Sequence, residues 1–135
     1  MSPPVRPPLG PVSVGPVTDE AFEALVADAL DEIPPELASA VENVAVVVAD
    51  WPTPSQLAGR RGTLLGLYEG IPLTHRDSMN YAGVLPDRIT IFRGPLCALA
   101  ADEEDLQARV RVTVLHEVGH YFGLSDDRLR ELGWA

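Results

Sequence analysis

Near the end of the chain lies the run His116-Glu117-Val118-Gly119-His120-Tyr121-Phe122-Gly123-Leu124-Ser125-Asp126. Residues four apart on an α-helix project from nearly the same face, so His116 and His120 can hold one ion between them. Glu117, their neighbour, is placed to take a proton from a metal-bound water. Gly123 lets the chain turn, and Asp126 returns as a third ligand. The fourth tetrahedral position then stays open, which distinguishes a catalytic zinc from a structural one. At ordinary residue usage H-E-x-x-H arises by chance in roughly one chain of this size in a few hundred. The added Gly and Asp lower that frequency. The competing account is an amphipathic helix end with two ordinary histidines.

These residues need a helix to position them, and the sequence supplies one over 102–122. Asp102-Glu103-Glu104-Asp105 place acid in the first turn, where the helix dipole is positive. Leu106, Val110, Val114 and Val118 recur every four residues, and Leu115 and Phe122 widen the stripe. Gly119 costs about 1 kcal/mol against alanine in a helix, so its presence predicts a close approach by the sheet or another backbone. Gly123 falls where a left-handed C-cap residue is expected. Ser125 or Asp126 can then cap a short last helix over 127–132, closed by Gly133.

Upstream, Thr18 can cap a helix over 19–33, with Phe22, Leu25, Val26, Ala29, Leu30 and Ile33 as its apolar stripe. Pro34-Pro35 break it, and a short helical piece runs on through Val41. Residues 44–49, Val-Ala-Val-Val-Val-Ala, read as a buried strand. Residues 63–68 read as a second strand, and 88–92, Arg-Ile-Thr-Ile-Phe, alternate as a half-buried third. The connection over 69–87 is long for a small domain, and long ordered loops are often functional. Residues 1–17 contain six prolines and read as a disordered, proline-rich tail ahead of one domain over 18–135. The expected class is α+β, with helices packed on a small mixed sheet of three to four strands and the motif helix near the C-terminus.

The bulk composition narrows the chemistry. The chain has 135 residues, of which 46% are hydrophobic, enough for one domain with a core. The net charge of −10 argues against nucleic acid or an anionic membrane as the main partner. All ten basic residues are arginine, which excludes a lysine Schiff base or lysine general base. Cys97 is the only cysteine, so neither an intramolecular disulfide nor a multi-cysteine zinc site is available. The N-terminus lacks the apolar core of a secretory signal, and no stretch is long and apolar enough to span a membrane. A cytoplasmic location is the expectation.

Three segments carry a resemblance: His-Glu-Val-Gly-His-Tyr-Phe-Gly-Leu-Ser-Asp-Asp at 116–127, Gly-Leu-Tyr-Glu-Gly-Ile-Pro-Leu-Thr at 66–74, and Pro-Asp-Arg-Ile-Thr-Ile-Phe-Arg at 86–93. Together they resemble the zincin superfamily of metallopeptidases, and within it the minimal, single-domain bacterial zincin-like proteins, over about residues 36–132. The resemblance implies a zincin-like fold, one Zn2+ per chain and a peptide or protein substrate. Only 15 residues follow His120, which leaves no downstream helix to offer a distant Glu ligand as in thermolysin-like enzymes. Met1 and Met79 both precede the motif, so a metzincin Met-turn is missing. The secreted snapalysins share a similar motif and are the second choice, because a signal sequence is lacking.

The expected roles are therefore His116, His120 and Asp126 as zinc ligands and Glu117 as general base. Asp127 is the rival third ligand; Asp126 stands at the place of the third metzincin histidine. His75 lies in a distant loop and is not expected to bind the ion. Tyr81, Arg76 and Arg93 are candidates for stabilising an oxyanion, but each is more often structural, so none joins the catalytic set. Tyr121 is expected to pack, Cys97 to be a buried apolar side chain, and Trp51 and Trp134 to be core or edge anchors. If the strand over 88–92 is an exposed edge, an extended peptide can pair with it. Iron(II) or manganese also suits two histidines and a carboxylate, though the spacing favours zinc. Three functions compete: a zinc peptidase, a zincin-fold metal-binding or regulatory protein with little or no hydrolysis, and a zinc hydrolase of a non-peptide amide. The sequence does not fix the oligomeric state, and a monomer fits it.

Overall fold

The apolar four-residue repeat of 102–122 produces the longest element of the fold. In the computed structural model, which describes residues 17–60, 62–70 and 87–134, it is a helix, Glu103–Tyr121. Asp102 caps it by accepting the Asp105 N–H at 2.7 Å. Asp105 in turn accepts the Ala101 N–H and pairs with Arg109, which holds its carboxyl below the ordinary carboxylate value. The stripe of Leu106, Val110, Val114, Leu115 and Val118 is almost fully buried.

In chain order the elements are α1 (Asp19–Leu30), α2 (Pro35–Val41), β1 (Ala45–Ala49), α3 (Pro54–Leu57), β2 (Gly66–Glu69), β3 (Arg88–Phe92), α4 (Arg93–Leu99), α5 (Glu103–Tyr121) and α6 (Asp126–Leu132). Thr18 caps α1 as expected, its hydroxyl accepting the Ala21 N–H. Phe22, Val26 and Ala29 of α1 join the α5 stripe in one core with Ile89, Ile91 and Leu96. An ion pair between Arg111 and Glu32 at 2.6 Å fastens α5 to the turn after α1. The expected α+β class holds, with one three-stranded mixed sheet among the described residues. No helix there is long and apolar enough to cross a membrane.

The sheet corrects two expectations. Its order is β1-β3-β2, with β1 parallel and β2 antiparallel to β3. Residues 88–92 are thus the central strand, with Ile89, Thr90, Ile91 and Phe92 all buried. They are neither half-buried nor an edge, so peptide pairing along them is ruled out: β1 and β2 already occupy both sides. Conversely β1, expected to be buried, is an edge strand among the described residues and exposes Val47. The second strand begins at Gly66 rather than Thr63.

Two helices were not expected. Thr53 and Gln56 form a reciprocal capping box that opens α3. Gly94-Pro95 lies in the first turn of α4. Trp51 is 62% exposed and lies over Gly94, where any Cβ would strike the indole, so it is an edge anchor rather than core. Cys97 is only partly buried, and that burial pushes its thiol up. The readings of residues 1–16 as a tail, of 71–86 as a loop, and of His75, Arg76 and Tyr81 lie outside the described residues.

Candidate metal centre

The end of α5 and the start of α6 are joined by a turn whose every donor has a local reason. Gly123 takes φ +81°, a conformation that favours glycine. Its N–H donates to the His120 carbonyl and the Leu124 N–H to that of Gly119, both at 2.9 Å. This double closure ends α5 and reverses the chain. Ser125 then caps α6, accepting the Arg128 N–H at 3.1 Å. Because the serine does the capping, the Asp126 carboxylate remains available, and its Oδ1 stands 3.5 Å from His120 Nε2. Asp127, the rival, instead pairs with Arg130.

His116, His120 and Asp126 each offer a donor atom, and these atoms all lie within 4.8 Å of one another. Metal–ligand distances of about 2.0–2.2 Å would set tetrahedral donors ~3.3–3.6 Å apart. The His120–Asp126 edge already has that length, and the chemistry of the set, two imidazoles and a carboxylate, suits zinc. The imidazole rings are 4.5 Å apart at 68°. The Nδ1 of His116 lies 3.2 Å from the Trp134 carbonyl oxygen. A carbonyl only accepts, so Nδ1 carries the proton and Nε2 keeps the lone pair that binds a metal.

Glu117 is the buried charge of the site, 7% exposed. Its Oε1 accepts the Tyr68 N–H of β2 at 2.8 Å and lies 3.4 Å from His120 Nδ1. This placement needs β2 close to α5, which Gly66 allows: a Cβ there would meet Thr113 Cγ2 at 2.8 Å and Glu117 Cγ at 3.2 Å. Tyr121 packs edge-on against Tyr68 and donates its hydroxyl to the Ala40 carbonyl, as its expected packing role requires. Arg93 is bonded to Asp50 and Asp19 and ties α1 to the end of β1. It is engaged in the scaffold rather than with the three donors.

Two contacts of these residues were missed from the sequence, the Tyr68 N–H to Glu117 and the Trp134 carbonyl to His116. Both are main-chain groups, so side-chain type gives no signal for them. The expected close approach at Gly119 is real, but the neighbour is the Leu129 side chain of α6 rather than a backbone.

In the metal-free protein the hydrogen bond to Glu117 raises the His120 pKa above its ordinary value. The charges of Glu117 and Asp126 add to it, against partial burial. The other group facing this ring is the His116 imidazole. A raised folded-state pKa stabilises the fold fully below the unfolded value of about 6.5 and ceases to do so as pH rises through the folded value. The stability difference between chelator-treated wild type and His120→Gln is therefore expected to be largest near pH 6 and to shrink towards pH 9. Thermal melts across that range check it, and a difference that grows with pH contradicts it.

A family model described as zincin-like metallopeptidase matches residues 41–134, well over half of the chain. No curated protein matches. Among solved structures, a conserved hypothetical protein from Thermus thermophilus is similar at 27% identity. The match covers 86% of this chain and 97% of that one, with a TM-score of 0.50. The α+β fold, the motif helix and the matching family model lead to one conclusion: the chain belongs to the zincin-like metallopeptidase family.

Proposed function

We propose that the protein is a zinc-dependent peptidase in which His116, His120 and Asp126 hold the ion and Glu117 is the general base. The observation that carries this reading is the convergence of three donor atoms within 4.8 Å beside a buried carboxylate. A structural site has no use for such a base. Zinc held there would polarise a carbonyl and lower the pKa of a bound water towards about 7. The chain's own residues do the rest. The Tyr68 N–H and His120 hold Oε1 of Glu117, which leaves Oε2 to take the proton of the attacking water. Glu117 then returns that proton to the departing amide nitrogen, so the carboxylate ends each cycle as it began. The substrate under this reading is a peptide or protein, and the working unit is the domain over 18–135.

Elemental mass spectrometry of the purified protein tests the ion. About one zinc per chain is expected in wild type, as for a single three-ligand site, and none in His116→Ala. A wild type that takes up no metal even when zinc is supplied overturns the proposal.

A further inference from the structure

We infer that the main-chain carbonyl of Trp134 is a positioning group of the metal centre, holding His116 in the tautomer and orientation that present Nε2 to the ion. The inference rests on the proposed metal site and adds the C-terminal turn to it. Its first support is the 3.2 Å separation of His116 Nδ1 and the Trp134 oxygen. The second is how firmly that oxygen is placed. Gly133 takes φ +78°, and its N–H donates to the Arg130 carbonyl at 3.1 Å. The Trp134 N–H donates to the Leu129 carbonyl at 2.8 Å. This is the same double closure that ends α5 at Gly123, repeated at the end of α6. No atom lies within 4 Å of where a Gly133 Cβ would be, so the glycine serves the backbone conformation rather than a close approach. The Trp134 side chain, half-buried against the core, anchors the turn from the other side.

One short helix thus serves the site from both ends. Asp126 at its start faces His120, and the carbonyl just past its end faces His116. Metal-binding histidines commonly donate their second ring nitrogen in this way, and loss of the acceptor typically lowers metal affinity about 10- to 100-fold.

The experiment compares wild type, a chain ending at Gly133, Trp134→Ala and Gly133→Val. Zinc affinity is read by competition with a chromophoric chelator, melting temperature on the metal-free proteins, and the His116 tautomer from imidazole 15N shifts. Truncation and Trp134→Ala remove the same indole, but only truncation removes the carbonyl. The expected result is a loss of about 10- to 100-fold in zinc affinity for the truncated chain, with a clearly smaller loss for Trp134→Ala, which keeps the carbonyl and loses only its anchor, although both melt earlier. Gly133→Val keeps every residue but strains the turn, and it is expected to weaken zinc binding if the truncated chain fails to fold. In metal-free wild type at alkaline pH, the neutral His116 ring is expected to carry its proton on Nδ1. Equal zinc affinity in wild type and the truncated chain, or a His116 proton on Nε2, overturns the inference. A wild type that binds no zinc overturns the metal site instead, and the 15N shifts still report on the Trp134 contact.

Discussion

The Glu117→Gln variant is expected to hydrolyse peptides about 10²- to 10⁴-fold more slowly than wild type, the usual contribution of a positioned general base, while binding zinc undiminished. The two properties separate because the proposed ligands and the proposed base are different side chains fixed by different contacts. His116, His120 and Asp126 are untouched by the change. The amide oxygen of glutamine can accept the Tyr68 N–H as the carboxylate does at 2.8 Å, so β2 and α5 keep their spacing. What disappears is the capacity to take a proton from water. A peptide-library assay with metal analysis of both proteins reads the outcome. Unchanged turnover removes Glu117 from the mechanism. Zinc in both proteins with turnover in neither replaces the peptidase by a zincin fold that binds metal without hydrolysis.

The parts of this site that were legible in the sequence are those a local pattern dictates. Gly123 marked the end of α5, because caps are chosen by side-chain chemistry at fixed positions, and the acidic run 102–105 marked its start, although Asp102 is the cap rather than the first helical residue. The spacing of His116, His120 and Asp126 survived folding because a helix and one tight turn connect them. The strands were read less well, since a strand's own residues do not say which neighbours it has. The valine run of β1 has the composition of a buried strand, yet among the described residues the sheet has three strands and two edges, and the crossover to β3 makes β1 one of them. The Arg88-Ile89-Thr90-Ile91-Phe92 alternation suggested a wet face at Thr90, which is 3% exposed because β3 is central. Helix α4 was hidden by Pro95. Proline is tolerated there because the first turn of a helix has no partner for that N–H in any case.

Leu129→Ala is expected to destabilise the protein by about 2–5 kcal/mol, the range for deleting a fully buried leucine, and to weaken zinc binding at the same time. Leu129 is 0% exposed and is the buried residue through which α6 seats on α5. Its Cδ2 fills the space that Gly119 leaves open, which is why a glycine stands in the last turn of the motif helix. Because α6 carries Asp126 at one end and leads to the Trp134 carbonyl at the other, loosening this one contact loosens two contributions to the site. Leu129→Met keeps most of the volume and is expected to cost less than about 1.5 kcal/mol. The contact also predicts a non-additive pair. Gly119→Ala alone forces Leu129 aside, and that overpacking opposes the roughly 1 kcal/mol that alanine gains in a helix. In the Leu129→Ala background the obstruction is gone, so the same change is expected to stabilise. Urea unfolding of the four proteins measures the coupling directly. Additive effects, or a Leu129→Ala loss below about 1 kcal/mol with full zinc affinity, would mean that α6 is held against the metal centre by something other than this leucine.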